Sequence, residues 1–153
     1  MKKLVLVLLA MVVCTGIYAQ SSTLRKKHLN QTNQVAIEGY DPVAYFTQHR
    51  AVKGVKTISH TALGITYYFS SQENKKLFIR NRSKYEPQYG GWCASAMSSN
   101  GQKVKVDPTN FKIIDSKLYL FCDTSYKNSL SGWKKDEKAV ILKGDKNWGN
   151  QYK

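Results

Sequence analysis

The chain has 153 residues, of which 24 are Lys or Arg and 10 are Asp or Glu, so its formal net charge is +14. This length suffices for one domain with a modest core and excludes a large multidomain protein. The basic residues are scattered along the chain, which argues against a nucleic-acid partner and favours solubility or adhesion to an anionic envelope component.

The N-terminal segment has the parts of a secretory signal peptide. Lys2 and Lys3 precede the apolar run Leu4–Val13, and Ala19 is a small residue suited to cleavage. The run is shorter than the roughly 20 residues of a membrane span, which disfavours an uncleaved anchor. We predict a signal peptide over residues 1–19, export to the periplasm or the cell exterior, and no membrane span after cleavage.

Residues 20–34 are polar and contain few apolar side chains. This composition predicts an exposed, disordered lead-in, with His28 in solvent. Ordered structure is expected to begin near Val35, and the domain is expected to cover residues 35–150. His49 is predicted to lie in a solvated loop.

Alternating apolar residues predict two strands, Thr57–His60 and Ile65–Phe69, joined by a turn. A helix is expected to follow and to end before Pro87. Ser70 and Glu73 have the spacing of a capping box, in which the hydroxyl accepts from a backbone N–H and the carboxylate reaches back.

Patterns in the second half of the sequence predict further strands, followed by helices. A strand is expected to end at Pro108, and Phe111–Phe121 has the pattern of a hairpin turning at Asp115–Ser116. A helix capped by Asp123 or Thr124 is expected next. The last helix, Trp133–Trp148, is predicted to bury Ala139, Val140, Leu142 and Trp148. These elements indicate a small α+β domain with short antiparallel strands and packed helices.

The segment QYGGWCASAM, Gln88–Met97, contains Cys93, for which the sequence allows four roles. Cys93 can be a metal ligand with His60 and Asp41, since thiolate, imidazole and carboxylate are transition-metal ligands. It can be a nucleophile activated by His60. It can form a disulfide with Cys122, or it can simply pack as a small apolar residue.

Several longer segments resemble the exported YHS-domain proteins of bacteria. The resemblance covers roughly residues 39–148 and rests on four segments: GYDPVAYF (Gly39–Phe46), GITYYFSSQENKKLF (Gly64–Phe78), KYEPQYGGWCASAM (Lys84–Met97) and KVDPTNFKIIDSKLYL (Lys105–Leu120).

The resemblance implies a relation to metal-handling modules. Cysteine-bearing members place three thiols at positions that here are Ala44, Ser70 and Asn74, so a closed site of soft thiolates does not carry over. The exported branch keeps Cys93 and His60 instead. Cys122 stands where the family does not usually have a cysteine.

From the residues and the resemblance together, we expect an exported small binding module, with no sequence feature that demonstrates an enzyme. Its predicted ligand is a transition metal, Cu, Zn or Fe, held by Cys93, His60 and Asp41. The alternatives are a Cys/His-dependent enzyme, and a non-catalytic domain that interacts with an envelope component.

Overall fold

The computed structural model describes residues 22–122, 133 and 136–151. The predicted signal peptide and the helix expected after Cys122 lie outside these residues. The described helices, in chain order, are α1 (22–28), α2 (Ala44–Thr47), α3 (Gln72–Arg80), α4 (Arg82–Tyr85), α5 (Ala94–Asn100) and α6 (Glu137–Gln151). The strands are β1 (Gln31–Thr32), β2 (Val35–Ala36), β3 (Val55–Ala62), β4 (Ile65–Phe69), β5 (Asp107–Ile114) and β6 (Lys117–Phe121).

The strands form two separate sheets. One has the order β1-β2-β4-β3, with β3 and β4 antiparallel and β2 parallel to β4 through the pair Val35 and Thr66. The other is the antiparallel hairpin of β5 and β6. Both hairpins turn through two residues with positive φ, Leu63–Gly64 and Asp115–Ser116, which matches the right-handed strand twist. The predicted α+β class is therefore confirmed.

Two groups of buried side chains make up the core. The larger lies between the first sheet, α3 and the second hairpin, and includes Tyr45, Phe69 and Phe78. The smaller lies beneath α5 and α6, where Tyr119 and Phe121 pack on Trp133. Alternate residues of β4 point into the larger group, as a strand with one buried face requires.

The segment predicted as a disordered lead-in differs from expectation. Residues 22–28 are helical, and the side chains of Arg25 and His28 are buried. The polar composition of this segment predicts disorder. Its buried polar residues instead have specific partners, since Arg25 pairs with Glu86 and His28 lies against Lys103. His49, by contrast, is exposed as predicted.

Three local predictions need correction. The cap of α3 is Ser71, which accepts from the N–H of Asn74, because the Ser70 hydroxyl is bound elsewhere. The residues before Pro108 form no strand until Asp107, where β5 begins. In α6, Leu142 is 69% exposed and Gly144 is buried instead.

No helix in the described ranges combines the length and apolarity that crossing a membrane requires.

Candidate functional site

Asp41 is fully buried and joins two segments that are far apart in the chain. Its Oδ1 accepts from the backbone N–H groups of Val43 at 2.8 Å and Ala44 at 3.3 Å. Its Oδ2 accepts from the N–H and the hydroxyl of Ser70, each at 2.7 Å, and from the side-chain amide of Asn74 at 2.7 Å. Five donors thus meet one carboxylate, which fixes the turn before α2 against the start of α3.

The three positions at which the YHS resemblance implies cysteines all donate to this carboxylate. Ala44 contributes its backbone N–H, Ser70 its backbone and hydroxyl, and Asn74 its amide. A carboxylate offers about four lone-pair sites, so the acceptor capacity of Asp41 is used by the protein's own donors. A metal bound there would have to displace some of these hydrogen bonds.

His60 lies on β3, directly opposite Tyr67 of β4. Its ring packs edge-on against Phe78, with centroids 6.5 Å apart. Burial, and then the positive charges of Lys75 and Arg82, lower the pKa of His60, which favours the neutral imidazole. Its surroundings are those of a packed strand residue.

Cys93 is also fully buried, and its partner is Cys122. The two residues are not joined by a disulfide bond, and their sulfur atoms lie 2.8 Å apart. The backbone N–H of Cys122 donates to the Cys93 sulfur at 3.1 Å, and the N–H of Cys93 donates to the Val104 carbonyl at 3.0 Å. The structure therefore brings together the two cysteines of the disulfide alternative.

The three residues of the predicted metal site are not joined in this way. The hydrogen-bond partners of Asp41 and Cys93 do not include His60. Within the part of the chain that the structure describes, no three His, Cys, Asp or Glu side chains form a group that could hold a metal ion. A metal at Cys93, His60 and Asp41 stays a prediction.

The two glycines before Cys93 permit a tight turn. Tyr89 and Gly90 have φ values of 54° and 61°, so the chain passes through left-handed backbone. A Cβ atom on Gly90 would lie 2.9 Å from the Trp148 ring and 3.3 Å from the Cα of Leu29. The turn therefore brings the backbone close to both α6 and the residue that follows α1.

A cavity of about 280 Å³ lies beside this turn. Its wall combines residues of α1, the segment after it, β2, β4, the segment 83–90 and α6. The lining residues used below are Arg25, Leu29, Tyr67, Glu86, Tyr89, Asp145 and Trp148. The cavity is open to solvent on one side and is large enough for a small organic molecule.

One wall of the cavity is a buried polar cluster. The guanidinium of Arg25 donates to Glu86 and, at 3.1 Å, to the hydroxyl of Tyr67. The Tyr67 hydroxyl donates in turn to Glu86 Oε1 at 2.7 Å. Burial, and then the negative charge of Glu86, raise the pKa of Tyr67, so the phenol stays protonated. Arg82 Nε also lies 3.5 Å from Glu86 Oε1, so two guanidinium groups share this one carboxylate.

The opposite wall is mainly aromatic. The Tyr89 hydroxyl donates to Asp145 Oδ1 and approaches the Ile141 carbonyl, each at 3.2 Å, which anchors the ring to α6. Burial and the nearby Asp145 raise the pKa of Tyr89. Trp148 lies three residues after Asp145 in α6, and residues at i and i+3 share one face of a helix. A planar ligand would find two aromatic rings here.

Sequence reasoning missed most of this cavity. Arg25 lay in a segment predicted to be disordered, and Glu86 lay in the quoted segment Lys84–Met97 but was given no role. Trp148 was expected to be buried in the last helix, and Tyr89 belonged to the conspicuous glycine segment. No pattern along the chain connected them, because they come from distant segments.

Comparison with known proteins finds no matching family model, no matching curated protein and no matching solved structure. The YHS resemblance therefore rests on the residues quoted for it, and the chemistry of the site rests on the geometry described above.

Proposed function

We propose that this protein is an exported binding module of the YHS type that holds a small organic ligand in the cavity between α1 and α6. The observation that supports ligand binding is the cavity itself, which is lined both by the polar group of Arg25, Tyr67 and Glu86 and by the aromatic side chains of Tyr89 and Trp148. Pockets with an apolar surface and a few placed polar groups are the usual form of small-molecule sites.

The charges of the wall favour an uncharged ligand. Glu86 is paired with Arg25 and, at 3.5 Å, with Arg82, and the carboxylate of Asp145 accepts from Tyr89. Lys103 Nζ lies 5.8 Å from the centre of the Trp148 ring. An ionised ligand would lose hydration without gaining a matched partner. The proposed ligand class is therefore a planar, uncharged molecule.

The YHS part of the proposal has separate support. The resemblance implies that residues 44, 70 and 74 lie together, and all three contact Asp41. In this protein these three positions supply hydrogen-bond donors to a carboxylate where the resemblance implies thiols.

Export would place the basic surface near anionic envelope components. The net charge, +14 for the full chain and 14 − 2 = +12 without Lys2 and Lys3 of the predicted signal peptide, favours such adhesion without a specific site. Salt above about 0.5 M should release the protein from anionic vesicles, since the screening length then falls well below the roughly 8 Å of physiological salt.

Three probes of similar shape test the ligand proposal: indole, benzoate and benzamidine. We expect indole to bind with a dissociation constant of about 1 mM, as suits a ligand of so few atoms. Shifts in the amide and indole NMR signals should saturate and map to Tyr89, Glu86 and Trp148. Benzoate and benzamidine should bind more weakly. Tighter binding of an ionised probe, or shifts that map elsewhere, would contradict the proposal.

A further inference from the structure

A second cavity, of about 210 Å³, opens beside Cys122 on the far side of α5. It is lined by Ser95, Ala96, Ser99, Asn100, Gln102, Val104 and Cys122. Cys122 retains 8% of its surface in solvent, whereas Cys93 has none. The two sulfur atoms are therefore in contact, but only Cys122 borders this space.

We propose that Cys93 and Cys122 are a reversible dithiol pair that exchanges with small disulfide compounds. Cys122 is the sulfur that reacts first, and Cys93 is the resolving sulfur. This activity goes beyond ligand binding in the first cavity and does not depend on it.

The order of attack follows from access. A disulfide exchanges only when a thiolate sulfur approaches one of its sulfur atoms directly. A small disulfide can reach Cys122 through the second cavity, since this residue lies in its wall. Cys93 is covered by the larger core group and by Cys122 itself. Direct attack by Cys93 on an external disulfide is thus blocked while the domain is folded.

The first step forms a mixed disulfide. The Cys122 thiol loses its proton to solvent, and the resulting thiolate attacks one sulfur of the compound RSSR. The S–S bond of RSSR breaks, a Cys122–SR bond forms, and one RS⁻ leaves and takes up a proton.

The second step closes the pair. The Cys93 sulfur, 2.8 Å from the Cys122 sulfur, loses its proton and attacks Cys122. The second RS⁻ leaves and takes up a proton, so the protein has lost two hydrogen atoms and RSSR has become two RSH. A disulfide bond is about 2.05 Å long, so bond formation requires only a small movement of the side chains.

Hydrogen bonds around Cys93 fix the position of its sulfur atom for this second step. The N–H of Cys122 donates to Cys93 Sγ at 3.1 Å, and the Cys93 backbone is tied to the Val104 carbonyl and to the N–H of Met97. The resolving sulfur is thereby fixed at the start of α5. The end of β6 presents the reacting sulfur to it.

Glutathione disulfide at neutral pH is the probe, applied to the reduced protein without its leader. Samples are quenched with acid at intervals and mapped by mass spectrometry of proteolytic peptides. The wild type should end as an intramolecular Cys93–Cys122 disulfide, with glutathione found only transiently and only on Cys122. Oxidation should raise Tm by at least about 5 °C, since it closes a chain loop between residues 93 and 122.

Two variants separate the roles of the sulfurs. Cys93→Ser should accumulate glutathione on Cys122, because the resolving sulfur is gone. Cys122→Ser should react at least about 100-fold more slowly, because its remaining thiol is covered. Equal rates for the two variants, or a stable glutathione adduct on the wild type, would overturn the proposal.

Both substitutions are in the core, and either can impair folding. In that case the wild-type time course decides, because it uses the intact protein. Glutathione detected first on Cys122 supports the proposal, and glutathione detected first on Cys93, or no disulfide at completion, overturns it.

Discussion

At the scale of single residues, Asp41 shows how one buried charge can organise a small domain. Its two oxygens accept from the turn before α2 and from the start of α3. The cost of removing a carboxylate from water is offset when charge-assisted hydrogen bonds replace its hydration. Asp41 is therefore interpreted as a structural anchor, which distinguishes it from the metal ligand that the sequence predicts.

Asp41→Asn tests this interpretation. The amide has only one acceptor oxygen, so its NH₂ group would face the donors of either Ser70 or the segment 43–44. We expect the free energy of unfolding to fall by about 3 kcal/mol, because buried donors lose their acceptor. Urea denaturation measures the change.

Asp107→Asn is the matched control, since the half-buried Asp107 at the start of β5 accepts from the backbone N–H and the hydroxyl of the exposed Thr109. Its cost should stay near or below about 1 kcal/mol. Equal effects of the two substitutions, or loss of a bound metal from Asp41→Asn with stability unchanged, would contradict the anchor role.

His28 leads to a prediction about pH. Burial, and then the charges of Lys103 and Lys27, lower its pKa below 6.5. The folded state therefore disfavours protonation, and the unfolded state binds the proton more readily as pH falls below 6.5. The stability that depends on neutral His28 should be present above this pH and be lost as pH falls through the lower, folded-state pKa.

We expect Tm to fall between pH 7.5 and pH 5 in the wild type and to fall less in His28→Gln. The Gln side chain keeps a polar group near Lys103, whose Nζ lies 2.9 Å from Nδ1 of the imidazole. Calorimetry at both pH values measures the difference. An identical pH dependence in the two proteins would remove His28 as its source.

At the scale of elements, helix α6 is held by a glycine at its contact with the rest of the domain. A Cβ atom on Gly144 would lie 2.4 Å from the Tyr89 hydroxyl oxygen and 2.8 Å from Ser98 Oγ. Gly149, in the same helix, has no atom within 4 Å of the equivalent position. Substituting Gly144 therefore changes both packing and helix propensity, whereas substituting Gly149 changes helix propensity alone.

Gly144→Ala should destabilise the protein by about 2 kcal/mol, because the added methyl group pushes α6 away from Tyr89 and α5. Gly149→Ala should stabilise it by about 0.5–1 kcal/mol, the difference in helix propensity between these residues. Chemical denaturation of both variants tests the pair. Stabilisation by Gly144→Ala would show that the close approach is absent.

The elements that sequence patterns predicted are those whose determinants are local. Ile65–Phe69 and the turn at Asp115–Ser116 follow from alternation and turn length alone, and both are confirmed. The cap of α3 was predicted one residue early, since the hydroxyl of Ser70 goes to Asp41, 29 residues away. Hydrogen bonds between residues far apart in the chain produce no periodic pattern in the sequence.

At the scale of the whole molecule, the proposed site depends on distant segments meeting. Arg25 and Glu86 are 61 residues apart in sequence, and Tyr89 and Asp145 are 56 apart. Only the glycine turn at 90–91 gave a local signal, because left-handed backbone and close approach favour glycine. The cysteine pair was a stated alternative, but its distance could not be read from the chain.

The most direct test of the central claim is the affinity of indole for a protein whose cavity is blocked. Ser83 lies in the wall of the first cavity, and Ser99 lies in the wall of the second. Titration followed by NMR should show at least about 10-fold weaker indole binding to Ser83→Trp, a loss of roughly 1.4 kcal/mol. Binding to Ser99→Trp should stay close to that of the wild type. Unchanged affinity in Ser83→Trp, with its fold intact, would contradict a ligand site between α1 and α6.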